Sequence, residues 1–170
     1  MTLYLVRHGI AEDLPAGKTD RDRRLTPRGR AKMRRAARGL RPLVGVVDGI
    51  YTSPYPRAGE TATIVAGALR HAPKPEVLDF LAPDGSPIDV LRALRPLAKL
   101  DRVMLVGHEP LLSQLASLLL TGSVDGMRCD LKKGGVIAVT IRTATPRAAA
   151  LEWMATPRAL RRLGRAPSSA

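Results

Sequence analysis

Cysteine is almost absent from this chain, where Cys129 stands alone among 170 residues. A lone thiol excludes a disulfide framework and a cysteine-based metal site, and it favours a reducing cytosol. Aromatic residues are scarce as well, at 3%. Leu, Val, Ile and Ala must therefore fill the core, and little is left to stack nucleic-acid bases. Long apolar runs are missing. A stretch such as Leu115 to Leu120 falls far short of the roughly 20 residues that cross a bilayer. Nor does the N-terminus read as a secretory signal: Met1 to Val6 is followed at once by Arg7 and His8, with no small-residue cleavage site. Acidic residues are few, 15 against 28 Lys and Arg. The surplus favours anionic partners such as phosphorylated proteins, nucleic acid or polyanions. Arg outnumbers Lys 22 to 6, so codon bias is the plain alternative. The basic stretches Arg21 to Arg41 and Arg158 to Arg165 read as solvated helix faces rather than as a nucleic-acid site.

What is present reads as strands alternating with helices. Leu3 to Val6 is a short apolar run that ends at Arg7-His8-Gly9, as a buried strand would. Ile10 to Arg24, polar and carrying Pro15 and Gly17, reads as a loop. Thr26-Pro27 supplies a hydroxyl N-cap and a first-turn proline for a helix to about Arg41, which Pro42 helps to end. Val46 to Thr52 reads as a strand, and a helix from Pro56-Arg57 to about Leu69 follows. Glu76 to Leu78 reads as a short strand and Ser86 to Leu97 as a helix. Arg102 to Val106 is a strongly apolar strand closed by Gly107-His108-Glu109-Pro110, and Pro110 opens a helix to about Leu120. Gly134 to Ile141 and Ala148 to Met154 pair without an intervening helix, so one of them is antiparallel to the rest. Arg158 to Leu163 is a short basic helix.

This order predicts an α/β fold, a three-layer α/β/α sandwich around a mostly parallel, mixed central sheet. One domain over residues 1–165 and a loose tail over 166–170 are expected. Ligands of such sheets sit beyond the carboxyl ends of the strands. Arg7, His8 and Gly9 end the first strand, Arg57 follows the second, and His108 ends the central one. Parallel strands would gather all of them on one rim.

Two arginines and two histidines on one rim suit a tetrahedral dianion. Guanidinium groups bind phosphoryl oxygens two at a time. A neutral imidazole can attack phosphorus and carry the phosphoryl group covalently, and nearby cations favour the neutral ring. Gly9 would let the backbone approach the phosphate, and the helix opened by Pro110 would aim N–H groups at it. A metal held by His8 and His108 is disfavoured by the repulsion from Arg7. His71, in a proline-rich turn, reads as exposed and without a role, and Cys129 as filler.

Four segments resemble the signature blocks of the histidine phosphatase superfamily, also called phosphoglycerate mutase-like. They are Leu3 to Gly9 (LYLVRHG), Leu25-Thr26-Pro27-Arg28-Gly29, Ser53 to Thr61 (SPYPRAGET) and Val106-Gly107-His108-Glu109-Pro110, in the family's order. The chain lacks the larger insertions of the mutases and acid phosphatases, and so is similar to the compact SixA branch, the phosphohistidine phosphatases. That resemblance implies His8 as phosphoryl acceptor. It implies Arg7, Arg57 and His108 as the groups that bind and polarise the phosphoryl oxygens, with no metal or other cofactor.

One block departs from the pattern. Many family members carry a proton-donating Glu where this chain has Phe80, in Leu78-Asp79-Phe80. Asp79, Asp84 and Glu109 are the other carboxylates weighed for that role. A missing acid is costly for an alkoxide leaving group and cheaper for an imidazole, whose conjugate acid has a pKa of about 6.5. The expected substrate is therefore phosphohistidine on a protein, met in the cytoplasm by a pocket without an obvious lid. A phosphatase of small esters or polyanions is the second reading. A non-catalytic phosphate- or nucleic-acid-binding module is the third, and no membrane partner is expected.

Overall fold

The structure is a computed structural model and describes residues 1–14, 17 and 19–165. Pro15 and the tail expected over 166–170 lie outside the described residues. Strands β1 (Thr2–Arg7), β2 (Gly49–Thr52), β3 (Glu76–Val77), β4 (Arg102–Gly107), β5 (Val136–Ile141) and β6 (Ala149–Ala155) form one sheet in the order β3-β2-β4-β1-β5-β6. β1 runs parallel to β4, which is parallel to β2, and β2 to β3. β5 is antiparallel to both β1 and β6, so it alone runs against the others.

Side chains alternate across a strand, so each central strand feeds two cores. Leu3, Leu5, Val103 and Leu105 face helices α3 (Pro87–Ala93) and α4 (Leu111–Thr121), where Val90, Leu91, Leu112 and Leu115 meet them. Tyr4, Val6, Met104 and Val106 face α1 (Pro27–Val44), α2 (Pro56–Ala66) and α5 (Pro157–Leu163) through Met33, Leu40, Ala62, Val65 and Leu160. Covering both faces gives the three layers and explains why β1 and β4 read as unbroken apolar runs. No helix among the described residues is long and apolar enough to cross a membrane.

Prolines decide where two helices differ from expectation. Pro42 lies inside α1, which continues to Val44 and stops at Gly45, whose φ of 68° belongs to glycine. So near the helix end Pro42 removes a single hydrogen bond, to the Arg38 carbonyl, and the break comes later. Between Ser86 and Leu97 a single helix was expected. Instead α3 ends at Ala93 and a 3-10 segment, Arg95–Lys99, follows. Pro96 has no N–H to donate and disfavours α geometry at Arg95.

Within the layer that carries α1, α2 and α5, the backbones of α1 and α5 approach closely. A Cβ on Gly39 would stand 1.8 Å from the Leu160 carbonyl, and one on Gly164 would stand 2.3 Å from the Arg35 carbonyl. Bare glycine on both sides brings the two basic helices into backbone contact.

Candidate active site

Strand register builds the centre of the site. Arg7 pairs with Gly107 across β1 and β4, so the next residues, His8 and His108, leave neighbouring parallel strands side by side. Their rings lie 5.0 Å apart between centroids. The His8 N–H donates to the Gly107 carbonyl at 3.0 Å, extending the ladder one step. From the other side the Gly134 N–H donates to the carbonyls of Arg7 and His8, both at 3.0 Å.

Hydrogen bonds then orient each ring. His8 Nδ1 is 2.7 Å from the Gly9 carbonyl, which can only accept, so Nδ1 carries the proton and the lone pair is left on Nε2. His108 Nε2 meets Ser53 Oγ at 2.8 Å. Ser53 is held at the end of β2 by its N–H donating to Val106. Tyr55 closes the other side, edge-on to His108 at 5.3 Å and beneath the Arg57 guanidinium at 4.9 Å.

Both arginines are fixed by carbonyls. Arg7 donates from one terminal nitrogen to Leu131 at 2.7 Å. Arg57, in the first turn of α2 and 4% exposed, donates to the Asp20 carbonyl at 2.6 Å and to the Asp20 carboxylate at 2.7 Å. Four side-chain polar atoms remain buried without a partner among the described residues, and three of them, Arg7 Nε, Arg57 Nε and His108 Nδ1, belong to the expected site. Buried polar atoms are almost always satisfied. Three orphans on three of the four expected residues mark a place for an oxygen-rich ligand.

The four residues expected on one rim are thus brought together, but Gly9 has another job. Its N–H donates to Thr61 Oγ1 at 3.0 Å, and Thr61 in turn donates to the Arg57 carbonyl at 2.7 Å. A Cβ on Gly9 would meet Leu25 at 3.2 Å. Gly9 therefore also ties the end of β1 to α2, next to His8. At the start of α4 the Leu112 N–H bonds the His108 carbonyl at 3.0 Å, so that donor is not free for an anion either. His71 is exposed in its turn.

Sequence reasoning missed Asp20, Ser53 and Thr61. Asp20 lies in a segment read only as loop, where a 3-10 turn, Asp20–Asp22, carries it over Arg57. A short strap therefore reaches the Arg57 end of a site expected to have no lid. Burial would raise the Asp20 pKa, but hydrogen bonds from Arg23 and Arg57 outweigh that and hold it below the ordinary value. Ser53 and Thr61 sat inside the resembling block without an assigned role.

Of the carboxylates weighed as acids, Asp79 and Asp84 are exposed. Phe80 lies half-buried against the core. Glu109 differs. Burial pushes its pKa up, more than Ser113 and Arg7 pull it down. Ser113 Oγ donates to one of its oxygens at 2.5 Å, while the other is buried without a partner.

Electrostatics favour neutral imidazoles. Burial lowers the His8 pKa to about 3, helped by Arg57, Arg7 and Lys133 against the Gly9 bond. Burial, His8 and Arg57 lower His108 to about 3 as well. In the unfolded chain both rings would titrate near pH 6.5. The unfolded state then binds more protons across the window between about 6.5 and about 3. Stability is therefore full above pH 6.5 and falls as pH drops through that window. Melting temperature is expected to fall as the buffer is taken from about pH 7 to about pH 4, and His8→Asn or His108→Asn should flatten the fall. An unchanged slope in both variants would mean that the folded rings protonate freely.

Comparison with known proteins agrees with this geometry. The sequence profile of the histidine phosphatase superfamily (branch 1) matches residues 3–81. That span contains three of the four blocks, and the His108 block stands on the β1–β4 register. An uncharacterized protein of Picosynechococcus sp. is 40% identical over 144 residues, 82% of this chain and 84% of that protein. The protein histidine phosphatase SixA, solved with tungstate, superposes with a TM-score of 0.82 at 26% identity, over 93% of this chain and 98% of its own. The alpha-ribazole phosphatase of Shigella flexneri shares the fold, with a TM-score of 0.70 at 19% identity, over 92% of this chain and 97% of its own. The chain therefore belongs to the histidine phosphatase superfamily, with the architecture of its SixA branch, and its activity class is that of a phosphatase.

Proposed function

We propose that this phosphatase removes the phosphoryl group from phosphohistidine on a protein, through a covalent intermediate on His8. The observation that carries the reading is the locked His8 ring. It is neutral and tied through Nδ1 to Gly9, and it offers Nε2 beside His108. Nε2 attacks phosphorus while the bond from phosphorus to the substrate imidazole breaks. Arg7, Arg57 and His108 carry the charge on the oxygens. The departing imidazole takes up a proton and needs little help, in keeping with Phe80 at the position of the family's acid. Water then attacks the phosphorus on His8, the P–N bond to Nε2 breaks, and inorganic phosphate leaves. Of the two neighbours named above, the SixA protein is the histidine phosphatase, and it is the nearer in both identity and fold. The single half-buried thiol suits work in the cytoplasm.

The test is to mix the protein with a radiolabelled phosphohistidine protein, quench in alkali and map the label. Acid-labile label on His8 is expected. Label on another residue, or none during rapid turnover, would refute the covalent route.

Glu109 favours a second reading. A carboxyl of raised pKa beside Arg7 is equipped to protonate an alkoxide, as turnover of small phosphate esters requires. Glu109→Gln separates the two readings. On phosphohistidine, kcat is expected to stay within about threefold, whereas on an alkyl phosphate it should fall about 10²-fold, the ordinary size of a general-acid contribution. A large loss on phosphohistidine would make the ester reading the better one.

A further inference from the structure

Helix α1 carries seven basic residues and no acidic one, and α5 carries three and none. Among the described residues, ion pairs engage only Arg30 of these ten, through Glu60. Such a surplus repels itself unless an anion sits on it. The close crossing at Gly39 and Gly164 draws the two helices together, so their cations flank a shared groove. That groove is lined by Gly9, Lys32, Met33, Lys133, Gly134 and Arg161. Pro157 lines it as well, and both Met33 and Pro157 lie next to Gly134.

Three things make the groove more than a basic surface. Two of its lining residues adjoin the catalytic ones: Gly9 follows the proposed nucleophile and the Gly134 N–H bonds the carbonyls of Arg7 and His8. Its Lys32 stands among cations: the neighbouring Arg28 first, then desolvation, then Arg161 pull the ammonium below its usual pKa. Lys133, which lines the groove, also lowers the pKa of the His8 ring, after Arg57 and Arg7.

Resting on the phosphohistidine reading above, we infer that the Lys32–Lys133–Arg161 groove docks an acidic segment of the phosphoprotein while its phosphoryl group enters the His8–His108 hole. Ammonium and guanidinium groups are the right donors for Asp and Glu side chains. No aromatic residue lines the groove to stack a base, which argues for a polypeptide over a polynucleotide.

The test compares wild type with Lys32→Ala/Arg161→Ala on two substrates: an acidic, chemically phosphorylated histidine phosphotransfer domain, and phosphoramidate. KM for the protein substrate is expected to rise about tenfold, as loss of steering and docking charge allows. Its kcat should hold within twofold, and kcat/KM for phosphoramidate should stay unchanged. Added salt should raise the wild-type KM far more than that of the variant. Lys32→Arg/Arg161→Lys should restore docking. Equal losses on both substrates would assign these residues to the fold or the chemistry, and an unchanged protein KM would remove the groove from recognition. Either result overturns the inference.

Should wild type fail to act on any phosphohistidine protein, the substrate reading falls, and binding alone judges the groove. Fluorescence anisotropy with labelled decaglutamate is expected to show affinity that the double variant loses by about fivefold or more. Equal binding by both proteins would end the inference. So would a groove-dependent preference for an oligothymidylate of matched charge, which would point to nucleic acid instead.

Discussion

His8→Ala is expected to lower phosphohistidine turnover by about 10⁴-fold or more and to abolish the trapped intermediate, while the protein stays folded. The size follows from what is lost. Without Nε2 the phosphoryl group has no acceptor in the site, and direct attack by water must replace two easier steps with one. The remaining arginines would still bind and polarise the substrate, so binding should survive better than turnover. Folding should survive too, since the strand ladder at His8 is made by its main chain, whose N–H donates to the Gly107 carbonyl. Single-turnover kinetics beside a phosphate-binding measurement would separate these effects. Residual activity within tenfold of wild type would show that another residue takes the phosphoryl group.

Arg57→Ala should reduce kcat/KM by about 10³-fold, the scale on which a buried guanidinium stabilises phosphoryl charge. Arg57 is 4% exposed, and its Nε is directed to no protein partner. Its two bonds to Asp20 make the prediction sharper. An Asp20 carboxylate oxygen accepts from a terminal guanidinium nitrogen, a donor for which a phosphoryl oxygen would compete. Asp20→Asn should therefore move in the opposite direction, tightening inorganic phosphate about two- to fivefold, because the displaced pair is half-exposed and worth only ~1 kcal/mol. Isothermal titration of phosphate into the three proteins gives the ranking. If Asp20→Asn weakens phosphate instead, the carboxylate positions Arg57 rather than competing for it.

Much of this was legible because strand ends are legible. Val6-Arg7-His8-Gly9 and Val106-Gly107-His108 each break an apolar run with a cation or a ring, and parallel pairing carries both breaks to the same rim. Arg57 was equally readable from the proline that starts its helix. Asp20 was not, since a loop residue's partner depends on the path of the chain between elements, and no periodicity records that path. The tie made by Gly9 was hidden for a related reason. Glycine beside a candidate phosphate site suggests close approach of ligand, and that reading does not point to its contacts with Leu25 and Thr61. Pro42 and Pro96 show the limit on boundaries: one sits harmlessly near a helix end and the other turns a helix into 3-10, and only tertiary packing separates the cases.

The pairing of Arg7 with Gly107 acts as a ruler for the reaction. Neighbouring strands stand about 4.8 Å apart whatever their side chains, and the two imidazoles inherit nearly that interval. The clearance around phosphorus is thus written in main-chain hydrogen bonds, and core substitutions have no gradual way to widen it. Deleting one residue from β1 would send His8 to the opposite face of the sheet instead of moving it slightly. Adapting this enzyme to a bulkier reacting group must therefore be done through the loops around the hole, with the spacing of its two rings left as the sheet sets it.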